Sequence, residues 1–469
     1  MSFPGLAPSG WPLSPIEELD WYLENPGEPS LVHLETHIRG GLDRGALERA
    51  LAAALAADPA SRRRLAARSA WRRHPRWDVT PGAIPPVRMV TWADSGELDA
   101  LRESLTTVPI PLRSGVARLT LAVGPGRDVL FLQVHHAAFD GVSALTLLSA
   151  IADAYRRFAS SPPPAPMPMA PLPPLPPSAD GDGRAIAPGR TPRFPGAVAR
   201  VAGSQSGPAR PGYGFAQWTA PVPRPAHSGD CADRPRPTVN DLLITALILA
   251  VHRWNGQRPG GKISVCVPVN TRDAARRWSG PGNQSRLIRV SAGPGGRDRP
   301  ADLLASVSDQ TRKAREHPSP GLDGTSRRLA AGWAPAGLKR TAVRLARRLA
   351  SPLATDTALV SNLGVLPSPP DFTGDEAPVW FCGPAPMPRG IGLGVLTAGG
   401  RMRLTLIYSR ALFDGPAAAD FAALFRLALA DLVPERPRLP EQPEQPERPP
   451  RPRPPARPAC RDDREREAS

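Results

Sequence analysis

The stretch Val129-Leu-Phe-Leu-Gln-Val-His135-His136-Ala-Ala-Phe-Asp140-Gly141 decides how this chain reads. An apolar run broken only by Gln133 ends in two histidines, and Asp140-Gly141 precedes a helical pattern, so a core strand gives way to a turn and a helix. Consecutive strand residues point to opposite faces, which leaves His135 and His136 poorly placed to share one metal. One is expected to be buried and the other available. A single imidazole at a strand end suits general-base work, because its ordinary pKa of ~6.5 leaves it largely neutral near pH 7. Asp140, past the turn, is expected to stabilise the loop by pairing with an arginine, and Gly141 to permit the tight turn.

On the N-terminal side, strands are predicted at 31–39, 87–92 and 117–123, with a helix over 43–57 whose stripe is Leu47, Leu51, Ala54 and Leu55. The helix after the quoted stretch is predicted over 143–158. Ser143 sits where that helix begins and reads as a capping residue; no Gly-x-Ser-x-Gly elbow is present. His33, Glu35 and His37 share one strand face and read as a polar sheet face rather than a ligand set. Ten prolines then fall within 162–177, which favours an extended linker. Order resumes at Thr238-Val-Asn-Asp241, a capping-box pattern opening a helix over 242–254 that stops at Asn255-Gly256. Strands are predicted at 263–269, 287–291, 358–363, 391–397 and 403–409, and a last helix over 417–432. Residues 434–469 are Pro, Glu, Arg and Gln with little to bury and are expected to stay disordered.

The 469 residues give room for full hydrophobic cores, and 41% apolar content excludes disorder throughout. The 62 prolines crowd into the linker and the tail. A formal charge of +16 suggests an anionic partner. With only three lysines, however, the excess reads as Arg-rich composition, and no nucleic-acid partner is expected. Cys231, Cys266, Cys382 and Cys460 lie too far apart for a zinc knot or a disulfide framework, so no metal is expected. The opening residues lack the pattern of a secretion signal and no apolar run approaches the ~20 residues of a spanning helix. A cytoplasmic protein is the expectation.

In its HHxxxDG string this sequence resembles the acyltransferase superfamily of that motif, which includes chloramphenicol acetyltransferase, condensation domains of nonribosomal peptide synthetases, polyketide-associated acyltransferases and wax ester synthase/diacylglycerol acyltransferases. The resemblance extends to Pro12-Leu-Ser-Pro15 with Ile16-Glu-Glu-Leu, Gly41-Leu-Asp43, Val267-Pro-Val-Asn270-Thr-Arg272 with Gly282-Asn283, and Ser361-Asn362-Leu-Gly364. It implies an α/β (α+β) fold of two chloramphenicol-acetyltransferase-like halves in a V, with a tunnel at their interface. The halves would be 1–160, bearing the motif, and 212–433, separated by the linker 161–211 and followed by the tail 434–469.

The resemblance further implies that His136 is the catalytic base, with His135, Asp140 and Gly141 as motif residues. It takes the proton of an alcohol or amine as that group attacks a thioester carbonyl, without an acyl-enzyme. The co-substrate would be acyl-CoA or acyl-phosphopantetheine on a carrier protein in trans; no tightly bound cofactor is implied. Arg272 is the first candidate to bridge Asp140 and Arg289 the second. Asn270, Ser361 and Asn362 are expected to line the tunnel, with oxyanion stabilisation the lesser reading for the last two.

Over 337–349 a helical plot puts Leu338, Ala342, Leu345 and Leu349 on one face and Lys339, Arg340, Arg344, Arg347 and Arg348 around the rest. Three readings stand: a solvated outer face, a docking patch for an acidic donor through Arg340, Arg344 and Arg347, and peripheral contact with an anionic membrane. The leading function is an acyltransferase of the condensation-domain type. Its rivals are a wax ester synthase/diacylglycerol acyltransferase using long-chain acyl-CoA, and a catalytically silent protein that recruits carrier proteins.

Overall fold

Leu31-Val-His-Leu-Glu-Thr and the apolar run before His135 are each buried without a break, on both faces, and pair side by side; the rest of the first lobe grows from that pair. In a computed structural model, residues 10–24, 27–79, 85–160, 198–204, 210–223, 236–256, 261–273, 277–278, 282–316 and 327–433 are described. The elements in chain order are α1 (Pro15–Leu23), β1 (Leu31–Arg39), α2 (Arg44–Ala57), β2 (Arg63–Leu65), β3 (Trp77–Val79), β4 (Arg88–Thr91), α3 (Ser95–Thr107), β5 (Ala117–Gly124), β6 (Arg127–His135) and α4 (Gly141–Ala159). They continue as β7 (Tyr213–Pro221), α5 (Val239–Asn255), β8 (Ile263–Asn270), β9 (Ser285–Ala292), α6 (Pro300–Glu316), α7 (Ala336–Ala354), β10 (Ala358–Val365), β11 (Val379–Cys382), β12 (Ile391–Ala398), β13 (Arg401–Ser409) and α8 (Gly415–Asp431).

Two sheets organise the described chain. The first has the order β11-β1-β6-β5-β4, and the second β7-β13-β12-β10-β8-β9. Helices α2 and α4 bury Leu47, Leu51, Leu148 and Ile151 against the first sheet; α5 and α8 bury Leu243, Leu247, Phe421 and Phe425 against the second. The Thr238 capping box and the Gly256 stop form as predicted: Thr238 Oγ1 accepts from the Asp241 amide at 3.2 Å, and Gly256 takes a positive φ.

The two lobes do not keep to two halves of the sequence. Strand β11, from the C-terminal part, pairs antiparallel with β1 as the edge of the first sheet, while Phe372, Val379 and Phe381 join the first lobe's core. β11 also lies hard against β12: a Cβ on Gly394 would stand 2.0 Å from the Phe381 carbonyl oxygen. Prediction did not mark α1, β2, β3, α3, β7, α6 or β11. The predicted tail, most of the linker, Cys231 and Cys460 lie outside the described residues.

One expectation is reversed. Helix α7 forms, but its apolar face looks outward: Leu338 and Leu345 are exposed, whereas Lys339 is fully buried, with Nζ 2.5 Å from Glu18 of α1. The guanidinium of Arg340 lies over the Trp21 ring and donates to Glu24 Oε2 at 3.2 Å, and Arg344 donates to the Glu24 carbonyl at 2.8 Å. Arg340 and Arg344 are therefore held against α1 rather than presented as a free docking patch. The side chain of Arg347 lies outside the described residues.

Candidate active site

At the end of β6 the strand ladder runs one residue past its last pair, because the His136 amide donates to the Ser30 carbonyl at 2.8 Å. The chain then turns, with Ala138 and Phe139 donating back to the His135 carbonyl, and α4 begins at Gly141. The two imidazoles separate as strand geometry requires: His135 is fully buried and the side chain of His136 is 24% exposed.

Each ring faces a carboxylate, Asp20 on α1 or Glu24 at its C-terminal cap. His135 Nδ1 accepts from the Ala137 amide at 3.1 Å, so Nε2 bears the hydrogen and donates to Glu24 Oε1 at 3.3 Å. Burial by itself would push the Glu24 carboxyl up; the His135 hydrogen bond and the charges of Arg340 and Arg344 outweigh it and hold the carboxyl below its usual range. One helical turn earlier, Asp20 Oδ2 stands 3.6 Å from His136 Nδ1. The two amide hydrogens of Asn283 are matched by Asp20 Oδ2 at 2.8 Å and the His136 carbonyl at 3.3 Å. Asn283 Nδ2 also stands 3.3 Å from His136 Nδ1, so that nitrogen has two polar neighbours, the Asn283 amide and the Asp20 carboxylate. Burial raises the Asp20 carboxyl above its ordinary value, and the neighbouring imidazoles pull it part of the way back.

The loop between the histidines and α4 is clamped from both sides. Arg63, buried between the rings of Trp77 and Phe139, donates to the Ala138 carbonyl and pairs with Glu17 of α1 at 3.1 Å. Asp140 caps α4, its Oδ1 accepting from the Ser143 amide at 2.8 Å while Ser143 Oγ accepts from the Asp140 amide. The cap is thus Asp140, and Ser143 closes the box. The same carboxylate takes Arg272 Nη1 at 2.6 Å and the Gln284 amide at 2.9 Å. Arg289 pairs with Asp356 instead, Nε to Oδ1 2.5 Å. The role of Gly141 is space rather than turn geometry: its φ is not positive, but a Cβ there would meet Leu363 and the Phe381 ring at 2.7 Å.

A cavity of about 910 Å³ is lined from both lobes. His136, Asp20, Asp140, Gly141, Asn270, Arg272, Asn283, Arg289, Ser361 and Asn362 all border it. Its volume falls in the range of small-molecule sites. Ile16, Leu19, Leu23, Leu329 and Val343 give it an apolar sector; Asn240, Arg289, Asp356 and Arg389 give a polar one. Asn270 serves the loop as well as the lining, since Oδ1 accepts from the Arg272 amide at 3.0 Å. Among the described residues no group of three or more His, Cys, Asp or Glu side chains is arranged to hold a metal.

Sequence reasoning passed over Asp20 and Glu24. The signal was present: Ser14-Pro15 with Glu17 is a capping box with Pro at the first helical position, and on the helix it opens, Ile16, Asp20 and Glu24 recur every fourth residue on one face.

No protein-family model matches the chain. Two curated relatives, both uncharacterized proteins of Mycobacterium tuberculosis (strains CDC 1551 / Oshkosh and ATCC 25618 / H37Rv), are each 29% identical over 422 residues, covering 84% of this chain and 93% of the relative. Among solved structures the chain is similar to the first condensation domain of the CDA synthetase (19% identical, TM-score 0.60, 91% of this chain and 98% of that one). It is also similar to the starter condensation domain of rhizomide synthetase in complex with C8-CoA and Leu-SNAC (15%, TM-score 0.56, 91% and 95%). A third likeness is to the epimerization domain from the third module of tyrocidine synthetase B (16%, TM-score 0.54, 92% and 99%). The fold is thus the two-lobed α/β fold of condensation domains.

Proposed function

We propose that this chain is an acyltransferase in which His136 removes the proton of a hydroxyl or amine acceptor as it attacks a thioester-activated acyl group. The observation that carries the reading is His136 itself: its ring borders a cavity lined from both lobes, with Nδ1 beside Asp20 and Asn283. In this reading the Nδ1 hydrogen is directed at the Asp20 carboxylate and Nε2 is the accepting nitrogen. As the acceptor's oxygen or nitrogen bonds to the carbonyl carbon, its proton passes to Nε2; as the carbon–sulfur bond breaks, the leaving thiolate recovers that proton. The product is an ester or amide and a free thiol, and no acyl-enzyme forms. Ser361 and Asn362 border the same cavity and serve here as lining.

Support for a thioester donor comes from the rhizomide starter domain, which shares the fold and was solved with C8-CoA. Coenzyme A and a carrier protein in trans both present a phosphopantetheine thioester, and the reading covers either. The apolar sector of the cavity favours an acyl chain of appreciable length.

The test is a mass-spectrometric screen of acyl-CoA and acyl-pantetheine donors against pooled alcohols and amines. His136→Ala is expected to lower product formation by ~10²- to 10⁴-fold, the usual worth of a positioned base. Equal product from that variant overturns the mechanism.

A further inference from the structure

The inverted helix α7 poses a physical problem, because turning Leu338 and Leu345 to water and Lys339, Arg340 and Arg344 inward leaves apolar area uncovered. Leu338 and Leu345 are 58% and 56% exposed, one heptad apart on the outer face. Beside the start of the helix, Trp333 is 58% and Trp71 82% exposed. The two segments are stitched together: the Ala336 amide donates to the Arg72 carbonyl at 2.8 Å, and Lys339 Nζ donates to the Arg73 carbonyl at 3.0 Å. Four of the seven large apolar side chains exposed among the described residues therefore gather at one corner.

Charge at that corner is of one sign. Residues 61–77 and 327–354 contain no Asp or Glu. Arg68, Arg72, Arg73, Arg327 and Arg328 are exposed around the tryptophans. Tryptophan and leucine set among arginines that pair with no carboxylate among the described residues match the headgroup boundary of an anionic bilayer, where indole rings seat at the interface and each cation gains from the surface potential. A folded acidic carrier protein would satisfy the arginines, but it offers no apolar depth for four protruding side chains.

We infer that this corner docks on an anionic lipid surface through Trp71, Trp333, Leu338 and Leu345, with the arginines of residues 68–73 and 327–328 on the headgroups. Ala346 is exposed and also borders the cavity, and Val343 lines it from the same helix, so the cavity's apolar sector opens beside the docking face. Resting on the acyltransferase reading, this names lipid-borne long-chain molecules as the substrate class that reaches His136 without leaving the bilayer.

The test is sedimentation of the full chain with phosphatidylcholine vesicles containing 30% phosphatidylglycerol, and with phosphatidylcholine alone. Anionic vesicles are expected to bind, salt to weaken binding, and brominated lipid to quench tryptophan fluorescence. Arg68→Glu/Arg72→Glu/Arg73→Glu should lower partitioning by about 10²-fold or more, and Trp71→Ser/Trp333→Ser by about tenfold. Both sets should retain the wild-type melting temperature and turnover of a short, water-soluble thioester, while losing turnover of a vesicle-borne long-chain donor. His136→Ala should bind vesicles like the wild type, which separates this inference from the catalytic reading. Absent binding, equal binding to neutral vesicles, wild-type binding by the variants, or binding only to an acidic carrier protein or single-stranded oligonucleotide overturns it.

Discussion

The carboxyl of Asp20 is pushed above its ordinary value by burial, and the protein tolerates it beside the one imidazole that borders the cavity. A carboxyl whose pKa is raised on folding is destabilising where it is ionised in the folded state, and the penalty vanishes below its unfolded value. At neutral pH, Asp20→Asn is therefore expected to raise the melting temperature in calorimetry. In the proposed mechanism, asparagine cannot stabilise the imidazolium that would form as His136 takes the acceptor proton, so kcat should fall at least about tenfold. A variant lower in both stability and activity would assign Asp20 a packing role only. Asp20 went unread in the sequence because an acidic residue on a short helix is ordinarily a solvated one; only the approach of β6 and of Asn283 makes it a neighbour of His136.

At the scale of elements, α1 does more than its nine residues suggest. Glu17 holds Arg63, Glu18 holds Lys339, Asp20 faces His136, and Glu24 holds His135 together with Arg340 and Arg344 of α7. Its Ser14 capping box fixes the first turn; Ser14→Ala should cost about 1 kcal/mol in denaturant unfolding. The start of α4 is constrained differently. Gly141→Ala drives a methyl toward Leu363 and Phe381, both cavity-lining, and should cost about 1–3 kcal/mol while narrowing the site. Unchanged stability and turnover would show that these side chains yield freely. The strand and helix of the motif were legible because apolar periodicity and caps are local signals. The orientation of α7 was not, since its amphipathic pattern reads equally well with either face inward, and the partners that draw its cations inward lie on α1.

Across the whole molecule, two buried carboxylates tie the lobes together. Asp140 at the head of α4 receives Arg272 and Gln284 from the second lobe. Glu35 of β1 receives Arg102 Nη2 at 2.6 Å, His37 at 2.5 Å and Gln217 of β7 at 3.2 Å. Burial alone would raise both. For Asp140 the Arg272 pair and the Ser143 and Gln284 amides prevail, and for Glu35 the bonds from His37 and Arg102, so both carboxyls lie below the usual range. A depressed folded-state pKa gives stability that is present above the unfolded value of ~4 and lost as the pH falls through the folded one. The melting temperature should therefore drop steeply below about pH 4, less so in Glu35→Gln. Asp140→Ala removes the carboxylate that the buried Arg272 pairs with and should cost about 3–5 kcal/mol by chemical denaturation. A loss under about 1 kcal/mol would mean that water replaces the carboxylate.

The sequence by itself determined the alternation of strands and helices, the caps of α5, and the presence of a histidine pair at a strand end, because each is written in residues a few positions apart. Only the tertiary structure decided that Arg272 rather than Arg289 meets Asp140, that β11 crosses to the first sheet, that Asp20 and Glu24 neighbour the two imidazoles, and that α7 faces Leu338 and Leu345 outward. Those are choices among partners more than a hundred residues apart, several of like chemistry, and they are settled by which groups packing brings within hydrogen-bond reach.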